Sequence, residues 1–283
     1  MKSLASSSGE VINAFTVDVE DWFQVSAFEQ QLPRSTWAQL PVRLEANVEK
    51  LLQLLQQHAV CATFFTLGWV AERYPAVVRA IVHAGHELAS HGYDHRRVST
   101  LNAAQFRADL DRARCLLEDV SGQRVRGYRA PTFSFNDQTP WVYDALAETG
   151  HCYSSSVAPL RHDAYGQPDA PRAAYRAAAG MLEIPVSTVR LARRNFPCAG
   201  GGFFRLYPYA LFRWGLRRIN QHDRLPGMFY IHPWELDPGQ PEVPDAPRLA
   251  RWRHRLNLGL VEARLQRLLG DFRWGRVDAV YPQ

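Results

Sequence analysis

The sequence predicts an α/β protein built as a (β/α) barrel, and three observations carry that expectation. Short apolar strands alternate with amphipathic helices along most of the chain, which implies parallel strands joined by right-handed crossovers. Histidines, carboxylates and an arginine recur where those strands end, and that is the end at which a barrel gathers its functional loops. No Gly-rich phosphate fingerprint follows the first strand, which weighs against a doubly wound open sheet.

Residues 11–17 form the first expected strand, short and rich in β-branched side chains, running into the acidic cluster Asp18, Glu20 and Asp21. Leu44, Val48, Leu51, Leu52 and Leu55 then recur at helical spacing as one apolar stripe. Residues 62–67 read as a second buried strand, followed from about Val70 by one helix that Gly85 terminates. Residues 87–90 lead as a third strand to His91. Ser99 or Thr100 is placed to cap a helix carrying Phe106, Leu110, Ala113, Leu116 and Leu117, which Ser121-Gly122 ends. Residues 127–130 are the next strand, closed by Pro131, and 141–149 a short helix stopped by Gly150.

Beyond that point, 159–180 reads as loop, 181–189 as strand, 208–220 as helix and 228–232 as a last apolar strand ending in His-Pro-Trp. After Asp237, Pro-rich turns give way to an arginine-rich helix with Leu256, Leu260, Leu265, Leu268 and Leu269. It is expected to pack on the barrel with its basic face in solvent. Residues 1–283 are thus read as a single domain with a C-terminal helical extension from about 238.

Composition sets outer limits. Hydrophobic residues at 46% with 22% charged are ordinary for a globular chain with a real core. The net charge of +5 comes without a polybasic run, so no nucleic-acid partner is expected. Cys61, Cys115, Cys152 and Cys198 form no CxxC pair, which argues against a thiolate zinc or redox motif. Cys61 in an apolar strand and Cys115 on a helix are expected to be buried free thiols. Residues 1–10 are short and polar, and no apolar run reaches signal-peptide or transmembrane length. The expectation is a cytoplasmic protein without an integral membrane segment.

The chemistry concentrates in His91-Gly92-Tyr93-Asp94-His95. Imidazole plus carboxylate suits zinc or a similar divalent ion, and a catalytic site keeps three protein ligands and an open position. His91 and His95 supply two. Strand alternation puts Asp18 and Glu20 on one side, so one can bind metal while the other takes a proton, with Asp21 a rival ligand if the chain turns early. The run His86–His91 is no HExxH motif, because its histidines are five apart rather than four. Arg129, at another strand end, would hold Asp18 ionised and oriented. His232, delivered by the last strand, suits a general acid.

Taken together, T-V-D-V-E-D-W-F, A-T-F-F-T-L-G-W-V-A-E-R-Y-P, G-H-E-L-A-S-H-G-Y-D-H, G-Y-R-A-P-T-F-S-F, E-I-P-V-S-T, G-G-G-F-F-R-L-Y-P and F-Y-I-H-P-W-E-L-D-P resemble the polysaccharide deacetylase family, carbohydrate esterase family four. The tail resembles the branch associated with exosortase and exopolysaccharide gene clusters in Gram-negative bacteria. The resemblance implies a distorted (β/α) barrel and metal-dependent removal of N-acetyl groups from N-acetylhexosamine polymers. It implies Asp18 as base, His91 and His95 as metal ligands, Arg129 as the base-orienting residue and His232 as acid. The family commonly has two adjacent aspartates in its first motif; here Val19 takes the second place, which shifts the metal carboxylate to Glu20. Where the family often braces its arginine with an aspartate, this chain offers Tyr153-Ser154-Ser155-Ser156. Trp22, Phe133 and Trp234 lie in motif loops as candidates to stack on sugar rings. Two other readings use the same fold: an allantoinase-like hydrolase of cyclic ureides or amides, and a polysaccharide-binding pseudoenzyme.

Overall fold

The computed structural model describes residues 11–163 and 165–282, so the polar segment 1–10 lies outside the described residues. Its strands are β1 (Ile12–Val19), β2 (Thr63–Thr66), β3 (Glu87–Ser90), β4 (Gly127–Tyr128), β5 (Tyr153–Ser154), β6 (Tyr175–Arg176), β7 (Leu182–Glu183), β8 (Thr188–Leu191), β9 (Arg194–Pro197), β10 (Met228–Ile231) and β11 (Arg273–Gly275). The helices are α1 (Leu44–Gln57), α2 (Gly68–Arg73), α3 (Pro75–His83), α4 (Ala103–Ser121), α5 (Val142–Glu148), α6 (Gly201–Leu206), α7 (Tyr209–Gln221), α8 (Arg248–Arg255), α9 (Val261–Asp271) and α10 (Val277–Val280). The main sheet runs β10-β1-β2-β3-β4-β5-β7-β6 and is parallel except for β6. It is a curled half-barrel wrapped by helices rather than a closed ring, since the path ends at β10 and β6. Among the described residues no helix is long and apolar enough to cross a membrane.

Strand β1 organises the interior. Buried along nearly its whole length, it alternates between two environments. Phe15, Val17 and Val19 join the large core beneath α1, α7 and α9, while Ala14 belongs to a second cluster with Phe65, Tyr153 and Tyr230. Thr16 and Asp18 share the side of Ala14, on the concave surface. Val19 therefore points into hydrocarbon, fully buried. That is the physical reason a valine can stand where the resemblance implies a second carboxylate.

Several expected elements are corrected. The single helix from Val70 is two, α2 and α3, broken where Pro75 starts a new first turn after Tyr74. The cap of α4 is Asn102, which forms a capping box with Gln105, not Ser99 or Thr100. The strand 181–189 is divided between β7 in the main sheet and β8, which pairs with β9 in a separate hairpin. Pro185, lacking an N–H, falls between them. Cys61 and Cys115 are exposed rather than buried, whereas Cys198 is buried. The extension is not one helix: α8 and α9 are separated at Asn257, Leu260 is 49% exposed, and β11 adds a parallel strand to the start of β1.

Candidate active site

The concave face brings side chains from five segments into one buried pocket. His91, at the end of β3, is oriented by its own ring: Nδ1–H donates to the Arg129 carbonyl at 2.8 Å, because a carbonyl can only accept. That leaves Nε2 free to face a cation. The chain then turns tightly, with Gly92 at φ +76°, where a Cβ would press on the Asp109 carboxylate. Asp109 in turn accepts from the Tyr93 N–H. His95 itself sits at φ +58°, a costly conformation for a non-glycine residue that surrounding contacts must enforce. Arg34 does so, donating to the Asp94 carbonyl at 2.7 Å and the His95 carbonyl at 2.9 Å. Burial lowers His91 to about 4 and His95 to about 3, which keeps both imidazoles neutral, the form a metal ion would require.

Glu20, His91 and His95 bring one ligand atom each to within 4.8 Å of one another, and all three are buried. Glu20 Oε2 lies 3.3 Å from His95 Nε2, about the separation of two atoms sharing a tetrahedral ion with bonds of about 2.0–2.1 Å. The same oxygen is buried without a hydrogen-bond partner, an arrangement that is costly unless a cation or other group satisfies it. Two imidazoles and one carboxylate fit a zinc-type ion with an open position. Asp21 is engaged elsewhere: its carboxylate accepts from the backbone N–H groups of Trp22, Arg43 and Leu44, tying β1 to the start of α1.

Asp18 is paired with Arg129. Nη1 donates to Asp18 Oδ1 at 2.6 Å and to Thr16 Oγ1 at 2.8 Å, and both charged partners are buried. Burial alone would raise the Asp18 carboxyl, but Arg129, helped by His91 and His232, outweighs it and holds it below the usual range. Ser155 braces the guanidinium, its hydroxyl accepting from Nη2 at 3.0 Å and its carbonyl from Nε at 3.2 Å, while the Phe65 ring lies 4.0 Å from Cζ. Behind it, Glu183 accepts from the N–H groups of Ser156 and Val157, fixing the serine run.

His232 follows β10, the parallel neighbour of β1. Its Nε2 lies 3.1 Å from Glu20 Oε1 and 4.0 Å from Asp18 Oδ2, and its Nδ1 contacts Glu235 Oε1 at 2.8 Å. Glu235 is fully buried and also accepts from Arg205 Nε at 2.6 Å. Burial would lower His232, yet Glu20 and Glu235 push it up to about 10. Burial likewise opposes ionisation of Glu235, but Arg205 and His232 hold it down at about 2. Sequence reading missed Glu235 and Arg205. The available signals were a His-x-x-Glu spacing at the last strand end and an arginine in G-G-G-F-F-R.

The three aromatics are all enclosed. Trp22 is 3% exposed, with its Nε1–H donating to the Pro41 carbonyl. Trp234 stacks on His232 at 5.2 Å and on His254 at 4.2 Å. Phe133 packs against Tyr230 and Tyr165.

Residues 34–151 match the family model described as polysaccharide deacetylase, and this stretch holds His91, His95 and Arg129. The matches support the polysaccharide deacetylase family. Residues 155–282, which hold Ser155, His232 and Glu235, match a domain of unknown function, DUF3473. A peptidoglycan deacetylase of Helicobacter pylori is 33% identical over 113 residues, covering 40% of this chain and 38% of that protein. The chain spans about a third of the length of the curated relatives it matches. Among solved structures, a putative polysaccharide deacetylase from Mycobacterium smegmatis aligns over 97% of this chain and 91% of its own, with TM-score 0.58 and 21% identity. Puue allantoinase aligns over 95% and 88%, with TM-score 0.58 and 17% identity. These two likenesses establish the fold.

Proposed function

We propose that this chain is a zinc-dependent deacetylase removing N-acetyl groups from N-acetylhexosamine units of a polysaccharide or its oligosaccharide precursor, in exopolysaccharide assembly. The observation that carries the reading is the orphaned Glu20 Oε2 beside two neutral imidazoles, with His232 Nε2 3.1 Å from the other Glu20 oxygen and 4.0 Å from Asp18 Oδ2. Glu20, His91 and His95 would hold a divalent ion, which when bound would supply Lewis acidity and a water of lowered pKa.

The protein's own groups then divide the proton work. Asp18, kept ionised by Arg129, takes a proton through Oδ2, since Oδ1 is occupied by the guanidinium. Water oxygen bonds to the carbonyl carbon, the C–N bond breaks, and His232 Nε2 gives its proton to the departing sugar amine as acetate is released. Glu235 steadies the imidazolium through Nδ1, so the proton given up is the one facing the pocket. Oδ2 of Asp18 and Nε2 of His232 lie 4.0 Å apart, so a small movement returns the proton and resets both groups.

Acetate release from N-acetylated oligosaccharides, measured together with metal content, tests the reading. The native protein should carry about one equivalent of metal and release acetate, and His91→Ala should lose both. Full acetate release by His91→Ala would end the proposal. Turnover of cyclic ureides in place of acetate release would point instead to the allantoinase-like reading, and glycan binding without turnover to a pseudoenzyme.

A further inference from the structure

The β8–β9 hairpin has two unlike faces. Its register pairs Val189 with Phe196, Arg190 with Asn195 and Leu191 with Arg194. Alternation therefore puts Val189, Leu191, Arg194 and Phe196 on one side and Arg190 with Asn195 on the other. The first side roofs an apolar groove of about 240 Å³ against α7. Leu191, Phe196, Leu211 and Trp214 on its rim are between 37% and 48% exposed, an unusual concentration of large apolar side chains at a surface.

The second side borders a cleft of about 700 Å³ whose wall takes in Arg161, Arg190, Arg193 and, from the first side, Arg194, with Asp169 the one carboxylate among the described residues lining it. All four arginines are exposed, and among the described residues none of their guanidinium groups has a hydrogen-bond or ion-pair partner. Phe196 lines both the groove and the cleft. The two features are therefore one continuous surface, aromatic and aliphatic on one flank and cationic on the other.

We propose that the β8–β9 hairpin and the outer face of α7 form a docking surface for an anionic lipid bilayer. Trp214, Phe196, Leu191 and Leu211 enter the headgroup region, and the hairpin arginines meet lipid phosphates. Charge complementarity selects this occupant: arginines without partners match an anionic surface, and an amphipathic tryptophan beside them matches the boundary between headgroups and acyl chains. The surface is linked through one loop to Phe133, whose ring lies 5.7 Å from Arg129 Cζ. Asn195 Nδ2 donates to the Pro159 carbonyl, and the same loop brings Tyr165 against Phe133 at 5.6 Å. Docking would hold the concave site beside the membrane, whatever reaction it performs.

Co-flotation with phosphatidylcholine vesicles containing phosphatidylglycerol, against phosphatidylcholine alone, tests this. Binding should require the anionic lipid and weaken as salt rises. The Arg190→Ser, Arg193→Ser, Arg194→Ser triple variant should bind on the order of a hundredfold more weakly. Phe196→Ser with Trp214→Ser should lose at least about tenfold. Thermal melts should be unchanged in the arginine variant, whose side chains are exposed, and circular dichroism should show the aromatic variant still folded at the temperature of the assay. Four outcomes would overturn the proposal: no flotation, equal flotation with neutral vesicles, flotation undiminished in the variants, or a concentration-dependent dimer that Trp214→Ser abolishes. Displacement from vesicles by a soluble anionic glycan at low concentration, persisting at physiological salt, would assign the cleft to that ligand and also overturn it.

Discussion

Gly201 and Gly202 are neighbours at the start of α6, yet replacing each by alanine should have opposite effects. A Cβ on Gly202 meets nothing within 4 Å, whereas one on Gly201 falls inside the van der Waals envelope of the Glu235 carboxylate. That carboxylate has no slack, because it is held at 2.8 Å by His232 Nδ1 and at 2.6 Å by Arg205 Nε. A retreat of about 1 Å would carry both contacts out of hydrogen-bond range. Uncoupling a buried charge from its partners costs about 3–5 kcal/mol, and at about 2–4 °C per kcal/mol for a domain of this size class the Gly201→Ala midpoint should fall by at least about 6 °C. Gly202→Ala instead replaces an exposed helical glycine, worth up to about 1 kcal/mol of stabilisation, and its midpoint should hold or rise slightly. Differential scanning calorimetry of the two variants side by side is the assay. Equal midpoints, or a stable Gly201→Ala protein, would refute the close fit of Glu235 against α6.

Other expectations follow from the same geometry. Glu20→Gln should be purified without metal while Asp21→Asn retains it, as inductively coupled plasma mass spectrometry will report; the reverse result would move the third ligand to Asp21. Ser155→Ala leaves Arg129 Nη2 without its acceptor in a fully buried setting and should cost about 1–3 kcal/mol in urea unfolding. His151 is lowered by burial to about 3, so the unfolded chain takes up a proton near pH 6.5 that the native protein refuses until far lower. Stability should therefore fall on acidification from pH 6.5 towards 3, with a slope approaching about 1.4 kcal/mol per pH unit from this group alone. The wild-type minus His151→Gln difference isolates that contribution from the other buried groups, among them Asp21 and Asp109, which burial raises to about 6 and whose slopes run the other way, and a difference independent of pH would contradict it.

What could be read from the sequence was whatever a strand end announces locally. The β-branched run before Asp18, the HGYDH turn and the strand leading to Arg129 are each contained within a few residues, and periodicity alone places them. Glu20 was preferred to Asp21 on the alternation of β1, the same alternation that buries Val19. What stayed hidden depends on contacts across long stretches of chain. Ser155 reaches Arg129 from the next strand, 26 positions on, and Arg34 fixes the His95 turn from 61 positions away. Hydropathy carries no trace of such pairings. The splits at Pro75 and Pro185 are of another kind, since the proline stands in the sequence itself and an apolar pattern that continues across it masks the break.

The C-terminal extension is bound into the site's electrostatics. Arg205, almost fully buried, places Nη1 within 3.0 Å of the carbonyls of Arg253, His254 and Leu256, the unpaired acceptors at the C-terminus of α8. A guanidinium there is favoured by the helix dipole and stripped of water. From that position it grips Glu235, and Glu235 grips His232. Without α8 the same arginine would face solvent, where screening weakens each link of the chain. The segment matching a domain of unknown function thus supplies the wall formed by His232 and Glu235, while the segment matching the polysaccharide deacetylase model supplies His91, His95 and Arg129. Strand β1, which carries Asp18 and Glu20, lies before both and pairs with β2 on one side and β10 on the other. The pocket therefore exists only when the two matched segments close on β1 together.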